Sequence, residues 1–334
     1  MTGHARLTTA IVIAAVAATA SAVLAGWAAQ GSPSSRGARP GATAASPGAS
    51  AVGSGTTRPR SQVPSLQVRS GPRSPAPPRW PDAATTGVRP GIRLQTRTGT
   101  IKVMTDGAVL DGLEVHGDIV VLARNVTIRN CRVIGAGDWA ILQRMEAGSG
   151  GLTVEDTEIS GGGGRPLEFG VLNFAGDLTV RRVNVHTMMS AVQTSQGLIE
   201  DSYFHDPKDF PGAHVTLVAS GSGPRPGMTF VVRHNAILNP GGQTAAVALY
   251  QDFGLNHDVL VQGNLLAGGG YTVYGGAGKY GRPHHIRFIG NVFSRRYFPK
   301  GGAFGWGTTW DGSGPGNQWK NNTWADTSEP VPPP

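Results

Sequence analysis

The chain writes one short stretch over and over, and that repetition limits its fold more than any other feature. Asn125-Val126-Thr127-Ile128-Arg129-Asn130-Cys131-Arg132-Val133 alternates apolar and polar residues around a small or amide residue. The same grammar returns in Gly151-Leu152-Thr153-Val154-Glu155-Asp156-Thr157-Glu158-Ile159 and in Val259-Leu260-Val261-Gln262-Gly263-Asn264-Leu265-Leu266. The small or amide position falls at Cys131, Thr157, Val183, Ser202, Asn235, Asn264, Asn291 and Asn322, with gaps of 26, 26, 19, 33, 29, 27 and 31 residues. A period in this range means stacked units, each covering its apolar face only against its neighbours.

Period-two alternation makes the repeated unit a strand with one buried face. The runs are rich in Val, Ile, Leu and Thr and are bounded by Gly clusters, as strands and their turns require. No gap holds a long amphipathic helical pattern, so the strands have to be wound as a parallel coil. Asparagine at Asn235, Asn264, Asn291 and Asn322 fits an amide ladder inside such a coil, each side chain bonding to the next turn. The competing reading is that Asn only marks bends, where left-handed geometry favours it. Either reading supports an all-β, right-handed parallel β-helix. Cys131, the sole cysteine, excludes an internal disulfide. It sits at the small-residue position and reads as a buried structural thiol.

Upstream of the repeats, residues 7–29 carry no charge and follow a short, weakly basic start. That is the layout of a signal peptide, or of an uncleaved N-terminal membrane anchor, and both imply export. Residues 30–79 are Ser, Pro, Gly, Ala and Arg and are expected to form a disordered linker. Seven arginines there, with Arg6, account for the whole formal charge of +8, leaving 21 basic against 21 acidic residues in 80–334. The basicity therefore belongs to the linker. Such an arm suits an anionic cell-wall polymer or a membrane surface, with a plain solvated spacer as the alternative. An exported chain without a recognition motif is not expected to bind nucleic acid.

The folded domain is expected over residues 80–328, as a monomer, with 329–334 a loose Pro-rich tail. Residues 80–91 are the candidate cap for the exposed end of the first turn, since an open sheet edge needs cover. Trp306, Trp310, Trp319 and Trp324 are expected to close the opposite end, although tryptophan also stacks on sugars. For Trp319 and Trp324, inside the repeat pattern, core packing is the expectation.

From Trp80 onward the chain resembles the secreted right-handed parallel β-helix proteins of the pectate-lyase-like superfamily, of the actinobacterial type. The resemblance is carried by Trp80-Pro81-Asp82-Ala83, Thr86-Gly87-Val88, Ser202-Tyr203-Phe204-His205-Asp206, Gly212-Ala213-His214, Gln251-Asp252-Phe253-Gly254 and Gly269-Gly270-Tyr271-Thr272-Val273-Tyr274. It implies a groove along stacked strands in which a polysaccharide lies. It does not fix the activity, because this fold hosts lyases, hydrolases, epimerases and binding proteins.

The long gaps between repeats hold the residues able to do chemistry. His214, Asp252, His205 and Asp206 are the candidate acid–base groups. Gln251, Tyr274, Lys279, Tyr280 and Arg296 are the candidate substrate contacts. Each has a structural alternative: His205-Asp206 can cap a strand end, Asp252 can make an Asx turn, and Arg296 can brace a loop. Relatives carry Gly-Ala-His-x-Asp-Gly-Ile-Gln over 212–219 and a lysine at the position of Tyr250. Here the acid falls on Thr216 and the amide on Ala219. Lyase chemistry needs a base and a neutralised uronate, commonly through Ca2+ held by clustered carboxylates, and the sequence offers no obvious cluster. Two functions stay open: a lyase-like or glycoside-hydrolase-like enzyme acting on extracellular polysaccharide, or a noncatalytic glycan-binding or surface structural module.

Overall fold

The computed structural model describes residues 80–334 apart from 136, 146–149, 163 and 165; the signal and linker readings lie outside the described residues. Every sheet is parallel and the coil is a right-handed β-helix. Three sheets run along it: sheet A with ten strands, sheets B and C with nine each. Successive strands visit A, B and C in turn, so each lap of the chain adds one strand to every sheet.

The repeat is not one strand, as its alternation suggests, but two. In the first full copy, Thr127–Arg129 belongs to sheet C and Arg132–Gly135 to sheet A, with a bend at Asn130 and Cys131. The first residue of each bend is left-handed: φ is 49° at Asn130, 47° at Asp156, 51° at Arg182, 51° at Asp201, 50° at His234, 60° at Gly263, 63° at Gly290 and 55° at Asn321. That geometry turns the next side chain inward, and Cys131, Thr157, Val183, Ser202, Asn235, Asn264, Asn291 and Asn322 are all buried.

Inside the bends the amide ladder forms. The Asn235 N–H donates to Asn264 Oδ1 at 2.9 Å, Asn264 N–H to Asn291 Oδ1 at 3.1 Å, and Asn291 N–H to Asn322 Oδ1 at 2.9 Å. The three Nδ2 groups repeat these contacts at 3.0 Å. A turn earlier, Ser202 N–H donates to Asn235 Oδ1 at 2.9 Å. Every buried polar atom so used avoids the cost of an unmade bond, about 1–3 kcal/mol each. The core beside the ladder is a continuous column of Val, Ile, Leu and Phe, with Phe204, Phe230, Phe288 and Phe293 fully buried.

Two terminal expectations are corrected. Residues 80–91 do not cap the first turn; they run as a strap along the bends between sheets C and A. Gly87 N–H donates to Arg182 O at 2.9 Å, Arg89 pairs with Asp156 at 2.6 Å, and the Trp80 ring lies 6.0 Å from that of His234. The strap has left-handed backbone at Gly87 (φ 82°), where a Cβ would come within 3.3 Å of Asn184 Cβ. The tail is not loose either. Val331 is buried, its N–H donates to Asn322 O at 2.8 Å, and its carbonyl accepts from Trp319 Nε1 at 2.8 Å.

Candidate functional site

The register divides the sequence-derived candidates between two faces. On sheet A, Asn184–His186 and Tyr203–His205 lie side by side. His205 accepts or donates on both ring nitrogens: Nδ1 to Asp206 Oδ2 at 2.7 Å and Nε2 to Asn184 Oδ1 at 2.9 Å. Its ring stacks on Tyr203 at 4.0 Å and faces His186 at 5.2 Å. Burial lowers the His205 pKa while Asp206 pulls it upward. Arg296, exposed and 5.4 Å from the Tyr297 ring, adds a positive charge near Tyr203. Next to this group, Glu158 is held down at about 2 by hydrogen bonds from His186 and Arg132. The cluster is dense, but its members are spent on one another.

Sheet B carries the rest. His214 precedes the strand Thr216–Ser220, and Asp252 follows Ala245–Leu249, the adjacent strand. The two candidates thus stand at opposite ends of adjacent strands rather than side by side. Gln251 is buried and its amide is committed: Nε2 donates to Gly276 O at 2.8 Å and Gly281 O at 3.0 Å, and Oε1 accepts from Tyr280 N–H at 2.6 Å. Gln251 therefore shapes the loop that presents Lys279 and Tyr280, both exposed, with Lys279 Nζ 5.2 Å from the Tyr280 ring. Burial pushes the Asp252 carboxyl above its ordinary pKa, and Lys279 opposes that shift.

Two of the positions at which the sequence differs from the expected motif, Thr216 and Tyr250, meet in space. Tyr250 Oη and Thr216 Oγ1 share a hydrogen bond at 2.9 Å. Thr216 pairs in register with Ala245, five residues before Tyr250. On the same two strands Ala219 pairs with Ala248. Both alanines are buried although neither belongs to the core cluster. Burial drives the Tyr250 phenol pKa upward, so it stays neutral. Where the resemblance leads one to expect an acid and a lysine, the chain thus has a threonine and a tyrosine bonded to each other.

Sequence reasoning missed what lies next to this pair. Tyr250 begins a row of rings: 5.5 Å to Tyr274, from there 6.0 Å to Tyr271, and 5.8 Å on to Phe304, which is 68% exposed. Tyr274 was legible as a contact; Tyr271 and Phe304 were hidden in Gly-rich stretches without a charged neighbour to flag them. Among the described residues, no group of three or more His, Cys, Asp or Glu side chains is arranged to hold a metal ion. The donors present do not fit the Ca2+ cluster of the lyase reading. Comparison of the chain with protein-family models, with curated proteins and with solved structures finds no match.

Proposed function

We propose that the protein is an exported β-helix that binds extracellular polysaccharide along the outer side of sheet B without cleaving it. The observation that carries this reading is the neutral, self-satisfied contact between Thr216 and Tyr250, where an acid and a lysine are expected from the resemblance. Beside it, Tyr274, Tyr271 and Phe304 supply rings on which sugar faces can stack. In this reading the arginines of residues 30–79 hold the protein to anionic wall polymer or lipid headgroups, and the uncharged residues 7–29 direct export.

One feature supports an enzyme instead. A carboxyl with a raised pKa beside an ammonium, as at Asp252 and Lys279, is suited to proton donation. The test is to incubate the full chain with uronate-containing and neutral polysaccharides, with and without Ca2+. Ultraviolet absorbance of unsaturated uronate and new reducing ends are followed together with retardation in polysaccharide gels. Binding predicts retardation with neither product. Turnover that disappears in Asp252→Asn would establish the enzyme and reject the binder.

A further inference from the structure

We infer that the aromatic row on sheet B selects a neutral polysaccharide, one whose sugars carry no carboxylate; this rests on the glycan-binding reading above. The row crosses three successive laps of the coil, since Tyr250 follows Ala245–Leu249, Tyr271 and Tyr274 lie in Tyr271–Gly275, and Phe304 precedes Gly305–Thr308. Neighbouring strands stand about 4.8 Å apart, and the row passes from the strand ends at Tyr250 and Tyr274 to the strand starts at Tyr271 and Phe304, so a polymer lying on it crosses the laps obliquely.

The charges around the row decide which polymer. Thr216 and Tyr250 are neutral and bonded to each other. The ionisable groups that follow them are Asp252 and Lys279, of opposite sign, the carboxyl raised by burial and the ammonium opposing that shift. Two arginines of the neighbouring loops are engaged, Arg282 with Asp311 at 2.6 Å and Arg295 with Asp326 at 2.9 Å while stacking 3.9 Å over Trp324; a third, Arg296, lies 5.4 Å from the Tyr297 ring. A uronate laid over these rings would surrender hydration of its carboxylate against neutral groups, an unfavourable exchange. A neutral sugar presents its C–H face to the rings and keeps its hydroxyls in water.

The experiment compares the full chain in native gels containing hydroxyethylcellulose or laminarin, both neutral, or polygalacturonate. Each gel is run at low salt and in about 1 M salt, which screens the arginine-rich segment. The expected result is salt-resistant retardation by a neutral polymer, weakened about tenfold in Phe304→Ala, whose exposed ring makes the substitution safe for folding. Polygalacturonate retardation that salt abolishes and Phe304→Ala leaves intact belongs to the basic segment and agrees with the proposal. Polygalacturonate retardation that survives salt and is lost in Phe304→Ala overturns the neutral-sugar inference while leaving the binding reading standing. Retardation by none of the polymers rejects both.

Discussion

In the C-terminal half of the coil, neutral amides join the bends between sheets C and A, and tryptophan closes the end. In the N-terminal half, the same bends carry charge, and among the described residues none closes the end. From Asn235 to Asn322 each lap donates to the next through an asparagine. Up to Ser202 the buried positions are Cys131, Thr157 and Val183, where Thr157 Oγ1 and Ser202 Oγ accept from Cys131 and Val183 N–H at 3.3 and 3.1 Å, and ion pairs outside them add to the joining: Arg129 with Asp111, Arg182 with Asp156 and Glu155, Arg181 and Arg233 with Glu200. At the last lap, Trp306 Nε1 donates to Pro332 O at 2.9 Å and Trp324 is buried against Phe293. At the first lap, the strand Gln95–Thr98 is exposed throughout, and Met104 and Val109 are 75% and 53% exposed. A lap can repeat only where it has neighbours on both sides, so the two ends and the joints near them are solved separately.

The largest effect should come from breaking the closed end. Trp324→Ala leaves a cavity among Phe293, Trp306 and Trp319 and is expected to cost about 3–5 kcal/mol in urea unfolding. Hydrogen exchange should accelerate in the strands Val292–Ser294 and Gln318–Lys320 and leave the first laps unchanged. Asn291→Ala strikes the ladder in the same half. It removes the acceptor of both Asn264 N–H and Asn264 Nδ2, for about 2–4 kcal/mol. If Asn291→Ala cost no more than an exposed substitution, the amides would be markers of bends and not a ladder.

The recurring asparagines made the ladder legible because one residue type at one register has few physical origins. The bend beside it was not legible. Period-two alternation is the same for one nine-residue strand and for two short ones, and Arg182 or His234 gives no hint of left-handed backbone, whereas Gly263 and Gly290 do. The strap failed for a related reason: Trp80, Gly87 and Arg89 bind to residues 67 to 154 positions downstream, which no local pattern encodes. At the site, His205 and His214 are near in sequence but end on sheets A and B. The Thr216–Tyr250 contact was foreshadowed only as two separate losses, since their complementarity exists in space alone.

Charge against amide also separates the halves by pH. Glu158 drops from 4.5 in the unfolded chain to about 2 in the fold. A depressed carboxyl contributes stability that is complete above the unfolded pKa and is lost as pH falls through the folded one, so the window runs from about 4.5 down to about 2. With its side chain 26% exposed, the contribution is about 2 kcal/mol after screening. Glu158→Gln should therefore flatten urea midpoints across that window, and exchange in acid should rise first in the laps before Ser202. Equal acid loss in both halves would remove the charge–amide distinction.

The smallest effect tests the weakest joint. Cys131 Sγ lies 3.1 Å from Arg129 O, two residues back, and burial raises the thiol pKa. The same carbonyl, counted back from each bend, is met by Thr157 Oγ1 at Glu155 O, by Ser202 Oγ at Glu200 O, both at 2.8 Å, and by Asn235 Nδ2 at Arg233 O at 2.9 Å. Sulfur is the poorest donor of this set. Cys131→Ala gives up the contact and a little volume and is expected to cost about 1 kcal/mol. Cys131→Ser places a shorter, stronger donor against the same carbonyl, as Thr157 and Ser202 already do. Its urea midpoint should match or exceed the parent, because a hydroxyl completes the bend that the thiol only half satisfies. A Ser variant as weak as the Ala variant would mean that Cys131 holds its place by filling space, with no bond to Arg129 O worth counting.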